Sequence, residues 1–200
     1  MKAAVYDVEG APGVLKYADV PEPVTGPDDI LISVEAISIE GGDLINRRST
    51  PPPLPLWIGG YAAAGTVVAV GSKVRSRTVG DRVAAFHMQG SHAERWAVPA
   101  ERTWLIPDGV GMAEAAALPI SFGTAHHCLF TRGMLRQGET VLIHAAAGGV
   151  GLAAVQLASQ AGATVIAVVS GTQRRGRLRE LGADYVVDRT KDNIVDSVRQ

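Results

Sequence analysis

The chain has 200 residues, 46% of them hydrophobic, enough to bury one large core or two modest ones. Its formal net charge of −1, with acids and bases interspersed, offers no basic face to nucleic acid and no acidic, disordered tail. The single cysteine, Cys128, excludes an internal disulfide and a cysteine-built zinc cluster, and it suits a reducing compartment, the cytoplasm.

The opening Met1-Lys2-Ala3-Ala4-Val5-Tyr6 reads as a strand with no long apolar stretch behind it, so neither a signal peptide nor a membrane span is expected. Short β-type runs separated by turn residues follow: 3–8, 30–36, 65–70, 82–86 and 93–98. Pro51-Pro52-Pro53 and Pro55 break regular structure and predict a stiff loop. Near Pro119 the pattern changes to alternating helices and strands, with a linking helix expected at about 121–135. Cys128, beside Leu129 and Phe130 in that helix, reads as a core thiol.

Residues 138–159 carry the strongest signal. The apolar run Val141-Leu142-Ile143 passes through a glycine turn directly into a helix with small packing residues, which is how a Rossmann unit holds a pyrophosphate. Gly148 and Gly151 take the second and third glycine positions of G-x-G-x-x-G, Ala146 replaces the first, and Gly149 adds another residue without a side chain. A glycine pair also serves ordinary turns, so the context decides. A second strand at 164–169 and a third at 185–188, with helices between them, complete the expected strand–helix–strand pattern. His144, at the end of the first of these strands, reads as a hydrogen-bonded core residue.

The end of the second strand selects the nucleotide. NAD sites place an acid there, about 20 residues past the glycines, to hold the ribose hydroxyls. Here the strand ends in Ser170-Gly171-Thr172-Gln173 and runs on into Arg174, Arg175 and Arg177. Small donors and guanidinium groups suit the extra phosphate of NADP. Arg189, just past the third strand, is counted with them. The competing reading is a solvated helix start with three surface arginines.

These residues carry a family resemblance. Met1 to Val5, Gly26-Pro27-Asp28-Asp29-Ile30-Leu31-Ile32, Gly65 to Gly71, Val79-Gly80-Asp81-Arg82-Val83, Ala115 to Pro119 and the 138–159 stretch resemble the quinone oxidoreductase (zeta-crystallin) branch of the medium-chain dehydrogenase/reductase family along the whole chain. The resemblance implies an α/β protein: a GroES-like β-barrel catalytic domain over 1–118, then a partial Rossmann domain over 119–200, with NADPH in the cleft between them. It implies cofactor contacts at Thr124, Ala146, Ala147, Gly148, Gly149, Val150, Gly151, Ser170, Gly171, Arg174 and Arg189.

Zinc is not expected. Metal-binding relatives have Cys where this chain has Glu40, and Gly-His-Glu where it has Gly60-Tyr61-Ala62; the five histidines form no closed-site spacing. Without a Lewis acid the chemistry favours an electron-poor acceptor, a quinone or an α,β-unsaturated carbonyl, reduced by hydride from a nicotinamide. Glu40, which replaces an Asn of the relatives, and Tyr61 are the candidate catalytic residues by position. A carboxylate at Glu40 adds negative charge near the reacting oxygen unless it is paired or protonated. Two other readings stay open: a non-catalytic NADPH-binding module, and a zinc-type alcohol dehydrogenase relative with displaced ligands. No nucleic acid or membrane partner is expected, and the parent protein is expected to dimerise by analogy with its relatives. Those relatives are longer, so the chain is expected to be a truncated reading frame or fragment of an active reductase, which alone binds NADPH poorly and aggregates.

Overall fold

In the computed structural model, which describes residues 1–171 and 173–199, the backbone divides after Ile120 into two units. Thr172, placed by sequence in the polar loop after the second Rossmann strand, lies outside the described residues.

Alternation of side chains builds the first unit. β1 (Lys2–Tyr6) buries Ala3, Val5 and Tyr6 and pairs antiparallel with β2 (Lys16–Asp19) on one side and β4 (Trp57–Ile58) on the other. A separate five-stranded antiparallel sheet centres on β3 (Asp29–Ser38) and β5 (Ala62–Val70). Beyond β3 lies β7 (Arg95–Pro99), and beyond β5 lie β6 (Arg82–Phe86) and β8 (Thr103–Leu105). Ile30 and Ile32 of β3 pack into one core with Val67, Val83, Trp96 and Val98. Burying side chains of this size contributes about 1.5–3 kcal/mol each. Between β3 and β4 the chain forms α1 (Gly41–Ser49), which buries none of its residues and has no counterpart among the expected elements.

The linking helix differs from expectation. α2 starts at Met112, not near 121, and runs through Pro119 to His126, followed by a π-pitched turn at His127–Arg132. Residues 113–117 are alanine-rich and offer no stop, and Pro119 forgoes one backbone bond inside the helix. The first half of α2 packs Ala115 and Ala116 against Ala64, Ala84 and Ile106. Cys128 is exposed, correcting its reading as a core thiol. Within the π-pitched turn the buried residue is its neighbour Leu129.

The second unit is a parallel sheet of β9 (Thr140–Ile143), β10 (Thr164–Val169) and β11 (Tyr185–Asp188) in the order β11-β10-β9. Three helices follow these strands in turn: α3 (Gly149–Gln160), α4 (Arg175–Glu180) and α5 (Ile194–Arg199). β10 is central and buried along five of its six residues, while β9 forms an edge. His144, just past that edge strand, is exposed and not a core residue as expected. No helix of the described residues is long and apolar enough to cross a membrane.

Two contacts fix the loops at the strand ends. At the start of α3, a Cβ built on Gly151 would sit 2.7 Å from Ala146 Cα and would also strike the Ala145 carbonyl oxygen, so the helix can seat on the turn only as glycine. Across the sheet, the buried Asp188 accepts bonds through Oδ1 from Gly171 N–H at 2.8 Å, Thr190 N–H at 3.1 Å and Thr190 Oγ1 at 2.7 Å. These bonds, led by the one from Gly171, hold its carboxyl at about 2, with the Arg175 charge adding to the shift.

The Gly151→Ala variant is expected to lose about 1–3 kcal/mol of stability by overpacking a backbone contact, measured by urea unfolding. Asp188 gives a pH signature. Its native carboxyl holds fewer protons than the unfolded one, whose pKa is about 3.9, so its contribution is complete above about pH 5 and drains away as pH falls toward 2. Comparing unfolding of wild type and Asp188→Asn from pH 6 to pH 2 should show the two curves converging in acid. A constant gap would contradict the pairing.

Candidate functional site

The loops at the carboxyl ends of β9 and β10 enclose a groove of about 770 Å3 in the second unit. Its walls come from Ala145, Ala147 and Gly148 on one loop, from Val169, Ser170, Gly171, Gln173 and Arg174 on the other, and from Lys191 beyond β11. Open ends of parallel strands are where dinucleotides bind in this type of sheet. Gly148 caps α3, whose first intrahelical bond runs from Leu152 N–H to Gly148 O at 2.8 Å. The amides of Gly149, Val150 and Gly151 therefore precede the helical ladder and carry the positive end of its dipole.

Five of the expected cofactor residues, Ala147, Gly148, Ser170, Gly171 and Arg174, meet in this groove. Ala146 is fully buried beneath it, its N–H donating to Val168 O at 3.1 Å. Gly149, Val150 and Gly151 form the first turn of α3 behind the rim, and Thr124 is an exposed residue of α2. Arg189 faces a smaller hollow of about 270 Å3 that shares Ala145, Val169 and Ser170 with the groove, and its Nε donates to Ser170 Oγ at 2.7 Å.

The three arginines after β10 part company. Arg174 reaches across the groove, Nη1 donating to Ala147 O at 2.8 Å, and among the described residues its other donors take no partner. Arg175 turns to Asp192 at 3.2 Å and Arg177 to Glu180 at 3.1 Å, so these two belong to surface ion pairs. Sequence reasoning missed three features here. Ala145 holds a left-handed backbone, φ +51°, where a glycine would have given the signal. Lys191 adds a second cation to the wall. Asp188 supplies an acid close to the end of β10, but one whose Oδ1 is consumed by Gly171 and Thr190.

The first unit holds a separate cavity of about 280 Å3, lined by side chains such as Leu15, Ile37, Leu44, Trp57 and Met88. Its polar groups are few: Tyr6, Asp43, Asn46, Arg47, Tyr61 and His92. Asn46 Nδ2 donates to the Tyr61 hydroxyl at 2.5 Å. His92 Nε2 is buried, has no hydrogen-bond partner among the described residues and stands 4.0 Å from Asp43 Oδ2. Burial holds the His92 imidazole below the usual histidine range, with Asp43 pulling the other way. Burial, reinforced by the nearby Asp43 and Tyr61, raises the Tyr6 phenol above its usual range.

Glu40 acts at the start of α1. Its N–H donates to Asp43 Oδ2 at 2.8 Å and its carboxylate accepts from Ser38 Oγ at 2.7 Å, while the cavity wall passes from Ile39 to Asp43 without it. A zinc ion does not fit these residues. Glu40 and Tyr61 are both engaged, and among the described residues no three His, Cys, Asp or Glu side chains converge at metal-binding distance.

Comparison with known proteins agrees with this division. Residues 26–121 match the alcohol dehydrogenase GroES-like domain, and residues 149–200 match the zinc-binding dehydrogenase family. The quinone oxidoreductase of Pseudomonas aeruginosa is 37% identical over 191 residues, covering 94% of this chain and 59% of that protein. The rat synaptic vesicle membrane protein VAT-1 homolog is 36% identical over 181 residues, 89% of this chain and 45% of its own. The Escherichia coli quinone oxidoreductase, solved in complex with NADPH, superimposes with a TM-score of 0.89 at 28% identity over all of this chain and 62% of its own. The chain thus spans about half the length of the curated relatives it matches. With a GroES-like unit followed by a Rossmann-type sheet, and with these relatives, the chain belongs to the quinone oxidoreductase branch of the medium-chain dehydrogenase/reductase family.

Proposed function

We propose that the protein is a zinc-independent NADPH-dependent reductase of quinones or α,β-unsaturated carbonyls, with the cofactor's phosphates in the second unit's groove and the acceptor in the first unit's cavity. One observation carries the reading. The groove presents a glycine-capped helix start together with Arg174 and Lys191, and among its described lining residues there is no carboxylate. A 2′-phosphate would meet donors there and no opposing charge. Glycines at 148, 149 and 151 leave the backbone open to a diphosphate, and the amides ahead of Leu152 are oriented to receive it.

When bound, the nicotinamide supplies the hydride. The chain's own residues bind, orient and exclude water. In this reading Tyr61, which lines the cavity, donates a hydrogen bond to the acceptor oxygen as negative charge develops there. Glu40, paired with Ser38, contributes by fixing the start of α1. An acceptor that is already electron-poor needs no Lewis acid, which matches a donor set that does not suit zinc.

Arg174→Ala separates this reading from a surface-arginine reading. Loss of a charge-assisted bond to phosphate should weaken NADPH by about 10- to 100-fold and leave NADH within about twofold, measured by isothermal titration calorimetry. Equal weakening of both nucleotides would remove the 2′-phosphate role.

A further inference from the structure

We propose that Asn46 is a positioning residue, which aims the hydroxyl proton of Tyr61 into the first unit's cavity. The proposal rests on the reading that the acceptor binds there and takes a hydrogen bond from Tyr61.

A phenol oxygen has one proton to give and two lone pairs to receive with. Asn46 Nδ2 donates to that oxygen at 2.5 Å, which fills one lone pair and keeps the phenol's own proton from pointing back at Asn46. Among the described residues no acceptor takes that proton. A donor bond received by the oxygen also polarises the O–H and strengthens its own donation.

Helix α1 is shaped for this task. Gly42 and Asn46 lie four residues apart, on one face of the helix. A Cβ on Gly42 would stand 2.5 Å from Tyr61 Cε2 and 3.2 Å from its hydroxyl, so the missing side chain makes room for the ring that Asn46 then holds. The helix start is itself fixed by the bond from Glu40 N–H to Asp43 Oδ2. An exposed helix that buries none of its residues thus carries two positions fitted to one phenol.

The test uses the direction of the hydrogen bond. Asn46→Asp keeps the size of the side chain but can only accept, so it would draw the phenol proton away from the cavity; Asn46→Leu removes the bond without reversing it. The probe is duroquinone, a neutral and fully substituted quinone, followed by quenching of tryptophan fluorescence, since Trp57 lines the cavity. The expected order of affinity is wild type, then Asn46→Leu, then Asn46→Asp, the last about tenfold weaker than wild type. In a Tyr61→Phe background the Asn46→Asp change should cost nothing further. Circular dichroism and thermal unfolding confirm that each variant is folded.

An equal loss from Asn46→Asp in both backgrounds, or an isosteric Asp that is milder than Leu, would overturn the positioning role and leave the cavity assignment standing. Failure of the wild type to bind duroquinone would overturn the cavity assignment and the proposal with it.

Discussion

Everything in the second unit depends on how closely α3 seats on the turn that leaves β9. Gly151 meets the Ala145 carbonyl and the Ala146 backbone with no room for a Cβ. Ala146 is fully buried beneath the turn, and Ala145 carries the left-handed backbone that turns the chain. For a residue with a Cβ that conformation costs about 1–2 kcal/mol. The return on this strain is geometric: Gly148, which caps α3, lines the same groove that Ser170, Gly171 and Arg174 line from the neighbouring loop.

The electrostatics of the groove follow from where its acids are spent. Asp188 lies at the end of β11, close enough to bond Gly171, yet its Oδ1 is taken by three donors and its carboxyl is buried. Its charge is used to tie the loops after β10 and β11 together. Asp192 and Glu180 likewise engage Arg175 and Arg177. Arg174 and Lys191 remain in the wall as cations. The proposed preference for a 2′-phosphate therefore rests on a network in which Asp188 Oδ1, Asp192 and Glu180 are engaged by partners outside the groove wall.

Much of this was legible in the sequence, for identifiable reasons. The strands at 82–86, 164–169 and 185–188 were readable because apolar runs bounded by turn residues signal strands directly. The glycine turn, the polar end of the second strand with the arginine after it, and the family resemblance together pointed to five residues that the groove brings together: Ala147, Gly148, Ser170, Gly171 and Arg174. By contrast α1, Gly-Gly-Asp-Leu-Ile-Asn-Arg-Arg-Ser, opens on two poor helix formers and buries nothing, so it leaves no periodic apolar signal. β2 is a mostly exposed strand held by pairing with β1, and tertiary pairing is invisible to local pattern. The start of α2 was misplaced because Pro119, inside the helix, reads as a boundary. Lys191 and the cavity residues from Tyr6 to His92 are brought together by long-range contacts, which no spacing rule encodes.

In the proposed function the head of α3 and the loop after β10 grip the phosphates of NADPH. Amide NMR during titration with NADP+ tests it most directly. The resonances of Gly149, Val150, Gly151 and Gly171 are expected to shift together and saturate with one affinity, while those of β2 and α1 in the first unit stay in place. Resonances at the head of α3 that do not move, while NADP+ binds elsewhere or not at all, would contradict it.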